Sequence, residues 1–390
     1  MSDRNRLTAA AVAILFLLCS TALLTSGSAY YLNLSKGPGN SLFPAIATSG
    51  QNVYVVWDDD RAGDAEEIFF SRSTDGGVTF SDPQNLSHNS GASRNPAVAA
   101  SGDDVYVVWE DESLGSSEIF YLVSRDGGAT FSVPMNISQN AGSSTLPDLA
   151  LVNGVLYVAW QDETFGNSEI LLSSSFDRGQ SFLTARNLSQ SKGLSWSPAI
   201  AADGTDLYVV WEEGTQDTRE IYFTGSLNGG VAFTAPKVIS GTAMFATAPA
   251  VAALGGHLYV TWTQEMSASN YDIFLTQSAD RGQSLTQPEN ISKSQSYSGA
   301  SVIALSPESV QLAWVEGVVT AEADGKSFTD YEIYSAPLAR SSGSSKAQPQ
   351  NVSETHSTSV NPVIALAPGG LYIAWADYTA GNFEILFAQR

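Results

Sequence analysis

Carboxylates dominate the chemistry this sequence can offer, and they recur in one setting. They follow a tryptophan: Asp58, Asp59 and Asp60 after Trp57; Glu110, Asp111 and Glu112 after Trp109; Asp162 and Glu163 after Trp160; Glu212 and Glu213 after Trp211; then Glu265, Glu316 and Asp377 after Trp262, Trp314 and Trp375. Gathered at one end of a fold, they would form a ring of acids. Three readings of such a ring stand open. It can be a solvated consensus, with some carboxylates capping neighbouring loops. Its hard oxygens can ligate Ca2+, the one cofactor the sequence suggests. Two of its members can act as catalytic acid and base. Beside the ring stand Arg61 and Arg94, whose guanidinium groups can grip a carboxylate in two parallel bonds. Trp196 is the only tryptophan outside the pattern. Its ring can stack on a sugar or pack on a neighbouring loop.

What must position these residues is a repeat. Seven tryptophans recur at intervals of 51 or 52 residues as far as Trp314, and Trp375 follows 61 residues later. Such a period signals a propeller or a solenoid. Each unit has four short segments. The first opens on proline and small apolar residues, as in Pro44-Ala-Ile-Ala47 and Pro147-Asp-Leu-Ala150; the second is a β-branched and aromatic run ending in tryptophan; the third starts on an acid and isoleucine, as in Glu67-Ile68; the fourth carries Asn-x-Ser, as in Asn85-Leu-Ser87. All are rich in strand-forming residues and bounded by Gly, Asp, Asn or Ser. No helical period appears after residue 30. The expected fold is all-β: a seven-bladed β-propeller of four-stranded antiparallel blades. The last unit stops after its third segment, and Tyr31-Leu-Asn-Leu-Ser35 reads as a fourth. The N-terminal strand should therefore complete the last blade and leave no open sheet edge.

After the third segment comes Ser-x-Asp-x-Gly-x-Thr/Ser-Phe. It is intact from Ser73 to Phe80, Ser124 to Phe131 and Ser175 to Phe182; worn from Ser226 to Phe233, where Asn228 replaces the acid; and worn from Ser278 to Leu285, which loses the aromatic. The acid can accept bonds from turn N–H groups and glycine supplies a positive φ, which are hairpin properties. These residues resemble the Asp-box, or BNR repeat, of sialidase-like β-propellers, and the resemblance covers residues 31–390. It implies a structural role for Asp75, Asp126, Asp177 and Asp280, on the face away from the functional one. In a four-strand meander the 2–3 and 4–1 connections share the other face, where the post-tryptophan acids are expected.

The resemblance to sialidases is best in the first blade. It implies that Arg61 would grip a substrate carboxylate and that Asp64 is the nearest match to the acid/base aspartate. The family's Phe/Tyr-Arg-Ile-Pro signature is replaced by Ser41-Leu-Phe-Pro44, and an arginine two residues before proline occurs only at Arg94-Asn-Pro96. Tyr331-Glu332 and Tyr271-Asp272 stand at the repeat's ordinary acid-isoleucine position, so no nucleophilic pair is assigned. Sialidases are usually six-bladed, against seven units here.

Composition bounds the partners. Net charge is -22, with 40 acidic residues against 18 basic ones. Such a surface favours solubility and cationic partners and repels nucleic acid and anionic membranes. Residues 1–29 read as a signal peptide: Arg4 and Arg6 precede an uncharged run from Leu7 to Leu24, and Gly27 and Ala29 form a small-x-small cleavage pattern. An uncleaved anchor and lipidation of the single cysteine, Cys19, are rival outcomes. Residues 30–390 then form one domain that is secreted or held at the cell surface. His88, His257 and His356 fall in separate units, without zinc-site spacing. No cysteine nucleophile or nucleophile elbow is present. Six Asn-x-Ser sequons (Asn33, Asn85, Asn136, Asn187, Asn290 and Asn351) follow the strand-four consensus, with glycosylation expected at a minority. The segment from Gly317 to Tyr331 is an insertion on the functional face, either a binding loop or neutral drift. The expected function is binding, of a glycan, a cation or an extracellular protein. A glycoside hydrolase of the exo-sialidase type and a structural envelope component are the alternatives.

Overall fold

Val53-Tyr-Val-Val-Trp57 is a continuous apolar run where a half-buried strand would alternate. The reason is that both faces of its strand are covered. Val53, Val55 and Trp57 pack toward the blade that holds Tyr372, Ala374 and Ile385, whereas Tyr54 and Val56 pack toward Val105, Val107 and Trp109 of the following one. The period of two along a strand divides the run between two neighbours. Each tryptophan fills an interblade layer in this way, as the repeat suggests. Seven four-stranded antiparallel sheets follow in sequence, the first built from Ser41–Ser49, Asn52–Asp59, Glu67–Ser73 and Gln84–Asn85.

The computed structural model describes residues 31–390, apart from 62, 64, 216, 242–244, 268–269, 322–326, 340–347 and 356. The N-terminal segment with Cys19, the acid/base candidate Asp64, His356 and part of the insertion thus lie outside the described residues. The circle closes as expected: Leu32–Asn33 pairs antiparallel with Glu384–Gln389, Leu32 opposite Phe387, and completes the seventh sheet.

Two local devices explain why the sequence repeats as it does. On one face, Ser73 Oγ accepts the Gly77 N–H at 2.9 Å, while Asp75 accepts bonds from Ser73 Oγ (2.7 Å), the Thr79 N–H (2.9 Å) and Thr79 Oγ1 (2.6 Å). These bonds from Thr79 and Ser73 hold the Asp75 carboxyl down to about 2. Asp126, Asp177 and Asp280 are held low by equivalent bonds. A Cβ on Gly77 would come within 2.9 Å of Phe387 in the preceding blade, so the turn needs glycine for space as well as for φ. The closing aromatic packs on that preceding blade too: Phe80 lies edge-on to Phe387 at 4.8 Å and Phe131 to Phe70 at 5.0 Å.

The second device is Asn-x-Ser. Asn85 Oδ1 accepts the His88 N–H at 3.1 Å, and Ser87 Oγ accepts the Ile68 N–H at 2.9 Å while donating to the buried Glu67 carboxylate. The same set ties Asn351 and Ser353 to Glu332 and Ile333. The sequon therefore recurs because its side chains close the fourth strand onto the acid-isoleucine pair.

In the sixth blade the second and third strands, Val310–Ala321 and Ser327–Leu338, run past the usual end of the blade. Their pairing continues from Gly317 opposite Tyr331 to Ala321 opposite Ser327. The insertion is thus an extension of the 2–3 hairpin.

Candidate functional site at the channel mouth

The first strands of the seven blades wall a central channel of about 510 Å³. Each starts about three residues before its proline position, which departs from the boundary read in the sequence. Each also slips register there, between Leu42 and Ala45 in the first blade and at the matching place in the other six. At every slip one non-glycine residue takes a left-handed backbone: Phe43 (φ 45°), Asn95 (52°), Leu146 (50°), Ser197 (48°), Ala248 (50°), Ala300 (49°) and Asn361 (51°). Such conformations are costly for residues with a Cβ. Seven in a ring, all lining the channel, mark the part of the fold where regular pairing has been given up.

The preceding blade braces this ring. The Leu146 N–H donates to Glu110 Oε2 at 3.3 Å, the Ala248 N–H to Glu212 Oε1 at 2.9 Å and the Ala300 N–H to Thr263 Oγ1 at 3.1 Å. Asp58 accepts the N–H of Asn95 in the same way. All four braces immediately follow a tryptophan. They are buried inside strands and not in loops, because the second strands continue two residues past the indole.

The second residue after each tryptophan turns sideways and latches it. Asp59, Asp111 and Asp162 are fully buried. Asp111 Oδ2 accepts bonds from the indole of Trp109 (2.9 Å), Asn89 Nδ2 (2.7 Å) and Ser93 Oγ (3.1 Å). Glu213 and Glu316 take the same place beside Trp211 and Trp314. The third residue reaches furthest toward the rim: Glu112 and Glu163 are exposed, Glu265 and Asp60 half-buried. The structure thus divides the run of acids into brace, latch and rim. Among the described residues, no group of three or more His, Cys, Asp or Glu side chains is placed to hold a metal ion.

The basic and aromatic candidates are also engaged. Arg61 Nε donates to Asp59 Oδ1 at 2.8 Å, and its guanidinium lies 4.7 Å from the centre of the Phe69 ring. Arg94 bridges Glu66 (2.9 Å) and Glu112 (3.0 Å). Arg219, which the sequence reading did not single out, lies 4.3 Å from the centre of the Trp196 ring and donates to Glu212 at 2.5 Å. One side of Trp196 is therefore covered. Further round the same face, Tyr297 contacts Tyr271 and Tyr331, each at 5.7 Å between ring centres.

Inside the channel the wall has one charged residue, Asp148. Its carboxylate accepts the N–H of Ile200 in the next blade and of its own neighbour Leu149, both at 2.8 Å. Burial pushes its carboxyl up to about 6 against those bonds. The signal was present in the sequence, where Pro147-Asp148 breaks the Pro-Ala pattern of its counterparts. Asp58 is raised further, to about 7, by burial and then by the charge of Glu66. Burial also raises Glu110.

No family model matches this sequence, and no curated protein does. Solved structures share the fold at low identity. An ulvan lyase of the polysaccharide lyase family PL25, bound to -[GlcA(1-4)Rha3S]-, superposes with a TM-score of 0.62 at 9% identity, over 93% of this chain and 95% of that one. The endosialidase of phage phi92 gives 0.54 at 12% identity, over 92% and 69%. The GH93 α-L-arabinofuranosidase of Fusarium graminearum, in complex with arabinobiose, gives 0.53 at 13% identity, over 78% and 96%. The likeness is one of fold: a sialidase-like β-propeller architecture shared with glycan-active proteins.

Proposed function

We propose that the protein is a glycan-binding propeller, secreted or held at the cell surface, that takes a saccharide at the channel mouth. The observation that carries this reading is the ring of left-handed residues. The latch keeps an acid or amide in every blade and the turn keeps one in five, whereas the ring positions carry Phe, Asn, Leu, Ser and Ala. A strained backbone kept in all seven blades and decorated with five residue types suits a recognition surface. The glycan-active neighbours support the ligand class by analogy of fold. The test is a glycan array probed with purified residues 31–390, with a fluorogenic sialoside assayed in parallel. Binding without turnover is the expected result. Turnover abolished by Arg61→Ala would replace this reading with an exo-sialidase.

Glycoside hydrolysis is the second reading, and one observation favours it. Asp58 and Asp148 both have raised carboxyl pKa values at or inside the channel, which is how a general acid is kept protonated near neutral pH. Against it, the three arginines described on this face are each held by acids of the protein itself, which leaves none to grip a substrate carboxylate.

A further inference from the structure

The ring is uneven. Going round the channel, the seventh, first and second blades present Asn361, Phe43 and Asn95 in succession, while the fifth and sixth present Ala248 and Ala300. One arc carries an aromatic between two amides, and the far arc is recessed. Phe43 lines the channel yet is 44% exposed, an unusual state for an aromatic on an innermost strand. Its ring is displayed because the left-handed backbone at φ 45° takes it out of the strand's regular alternation. Asn95 spends its Nδ2 on Glu110 Oε2 at 3.1 Å, which leaves its carbonyl oxygen as an acceptor. The Asn361 side chain has no hydrogen-bond partner among the described residues.

We infer that Asn361, Phe43 and Asn95 form a subsite for an uncharged sugar residue, which stacks on the Phe43 ring and is held at its hydroxyl edge by the two amides. This rests on the glycan-binding reading and narrows it. A pyranose or furanose has an apolar face of C–H groups and an edge of hydroxyls. A displayed phenyl ring removes the first from water, and amides match the second without a net charge. The electrostatics select against acidic sugars. The cation nearest in sequence to the subsite, Arg94, is already bridged between Glu66 and Glu112, and Arg61 is held by Asp59. Asp148 in the channel wall adds negative charge with no cation partner among the described residues. A uronate or sialate carboxylate brought here would meet carboxylates and no free guanidinium, and like-charge juxtaposition in a partly desolvated site is a strong discriminator.

The test uses matched methyl glycosides, glucose against glucuronate and galactose against galacturonate, titrated at pH 7.5 by ligand-observed NMR. Purified residues 31–390 and the Phe43→Gly and Asn361→Ala variants are compared. Glycine suits the left-handed position and removes only the ring. The expected result is at least tenfold tighter binding of the neutral partner in one pair, with at least tenfold loss in Phe43→Gly and a smaller loss in Asn361→Ala. Equal or tighter binding of the uronates, or neutral binding unchanged in folded Phe43→Gly, overturns the subsite while leaving glycan binding intact. Failure to bind any saccharide on the array overturns the subsite and the proposed function together.

Discussion

The indole Nε1–H of Trp109 donates to Asp111 two residues further along the same strand, at 2.9 Å. The same pair closes at Trp160 and Asp162 (2.9 Å) and at Trp375 and Asp377 (3.2 Å), and Gln264 replaces the acid beside Trp262 (3.1 Å). A buried indole must find an acceptor. The acceptor in turn is satisfied by a serine of the first strand and a loop amide, so one carboxylate ties three segments of a blade together. Asp111→Ala takes the acceptor from two fully buried donors, the Trp109 indole and the Ser93 hydroxyl. It is expected to cost about 3 kcal/mol, from roughly 1–3 kcal/mol for each buried group left unsatisfied. Denaturant unfolding checks this, with the exposed Glu163→Ala as the contrasting change, expected to stay within about 0.5 kcal/mol.

Asp58 makes stability depend on pH in the direction opposite to the usual paired carboxylate. Its carboxyl is raised from 3.8 to about 7 in the native state. Below the unfolded value both states hold the proton. Between there and about 7 the unfolded chain has released it and the native chain has not. The unfolded state then binds fewer protons, so stability falls as pH rises, with the full penalty above about 7. Asp58→Asn keeps an acceptor for the Asn95 N–H and removes the titration. The variant is expected to match the natural chain near pH 4 and to melt a few degrees higher at pH 8. Identical thermal midpoints across that range would refute the assignment.

The turn acids run the other way. Asp75, Asp177 and Asp280 are held at about 2 by serine or threonine hydroxyls and turn amides. Their contribution is present above the ordinary carboxyl range and is lost as pH falls from about 4 toward about 2. Asn228 shows what a neutral replacement keeps: it still accepts bonds from Ser226 Oγ (2.8 Å) and the Ala232 N–H (2.9 Å). Asp75→Asn is therefore expected to fold, to be little changed in stability at pH 7, and to show a shallower acid limb in urea titrations at pH 4, 3 and 2.

The scaffold was legible because a repeat states its main contacts several times over, the tryptophan latch seven times and the Ser-x-Asp turn five. Trp57, Ile68 and Phe80 and their counterparts reveal strand, blade and turn through spacing alone, and Leu32–Asn33 carries the fourth-strand pattern and takes that place beside Glu384–Gln389. The acids were less legible. Asp58, Asp59 and Asp60 are adjacent and chemically alike, yet one braces the next blade, one latches an indole and one faces the rim. That division depends on which way successive strand residues point and on donors from other segments, which a local pattern does not contain. The left-handed ring was hidden for a related reason. A residue before proline reads as ordinary extended chain, and nothing in Phe43-Pro44 announces a bulge. Asp148 could have been found, because a charge in a Pro-Ala-Ile-Ala pattern is a break that needs a cause.

Arg61 separates a binding role from a structural one. A guanidinium reserved for a substrate carboxylate would stand free in the mouth. Here its side chain is 16% exposed, paired with the fully buried Asp59, and packed over Phe69, which stacks on Trp57 at 6.3 Å. Removing it strips the buried Asp59 of its only cation among the described residues and opens a gap beside Gly37, where the guanidinium fills the space a Cβ would take. Breaking a buried pair from one side is costly. Arg61→Ala is expected to destabilise the fold by about 3 kcal/mol, while leaving the affinity of the folded fraction for neutral glycosides within about twofold. Arg61→Lys restores a charge without the paired bonds and should recover part of that stability. Denaturant unfolding and the NMR titration read the two effects separately. A stable Arg61→Ala protein that has lost saccharide binding would move this residue from the scaffold to the ligand.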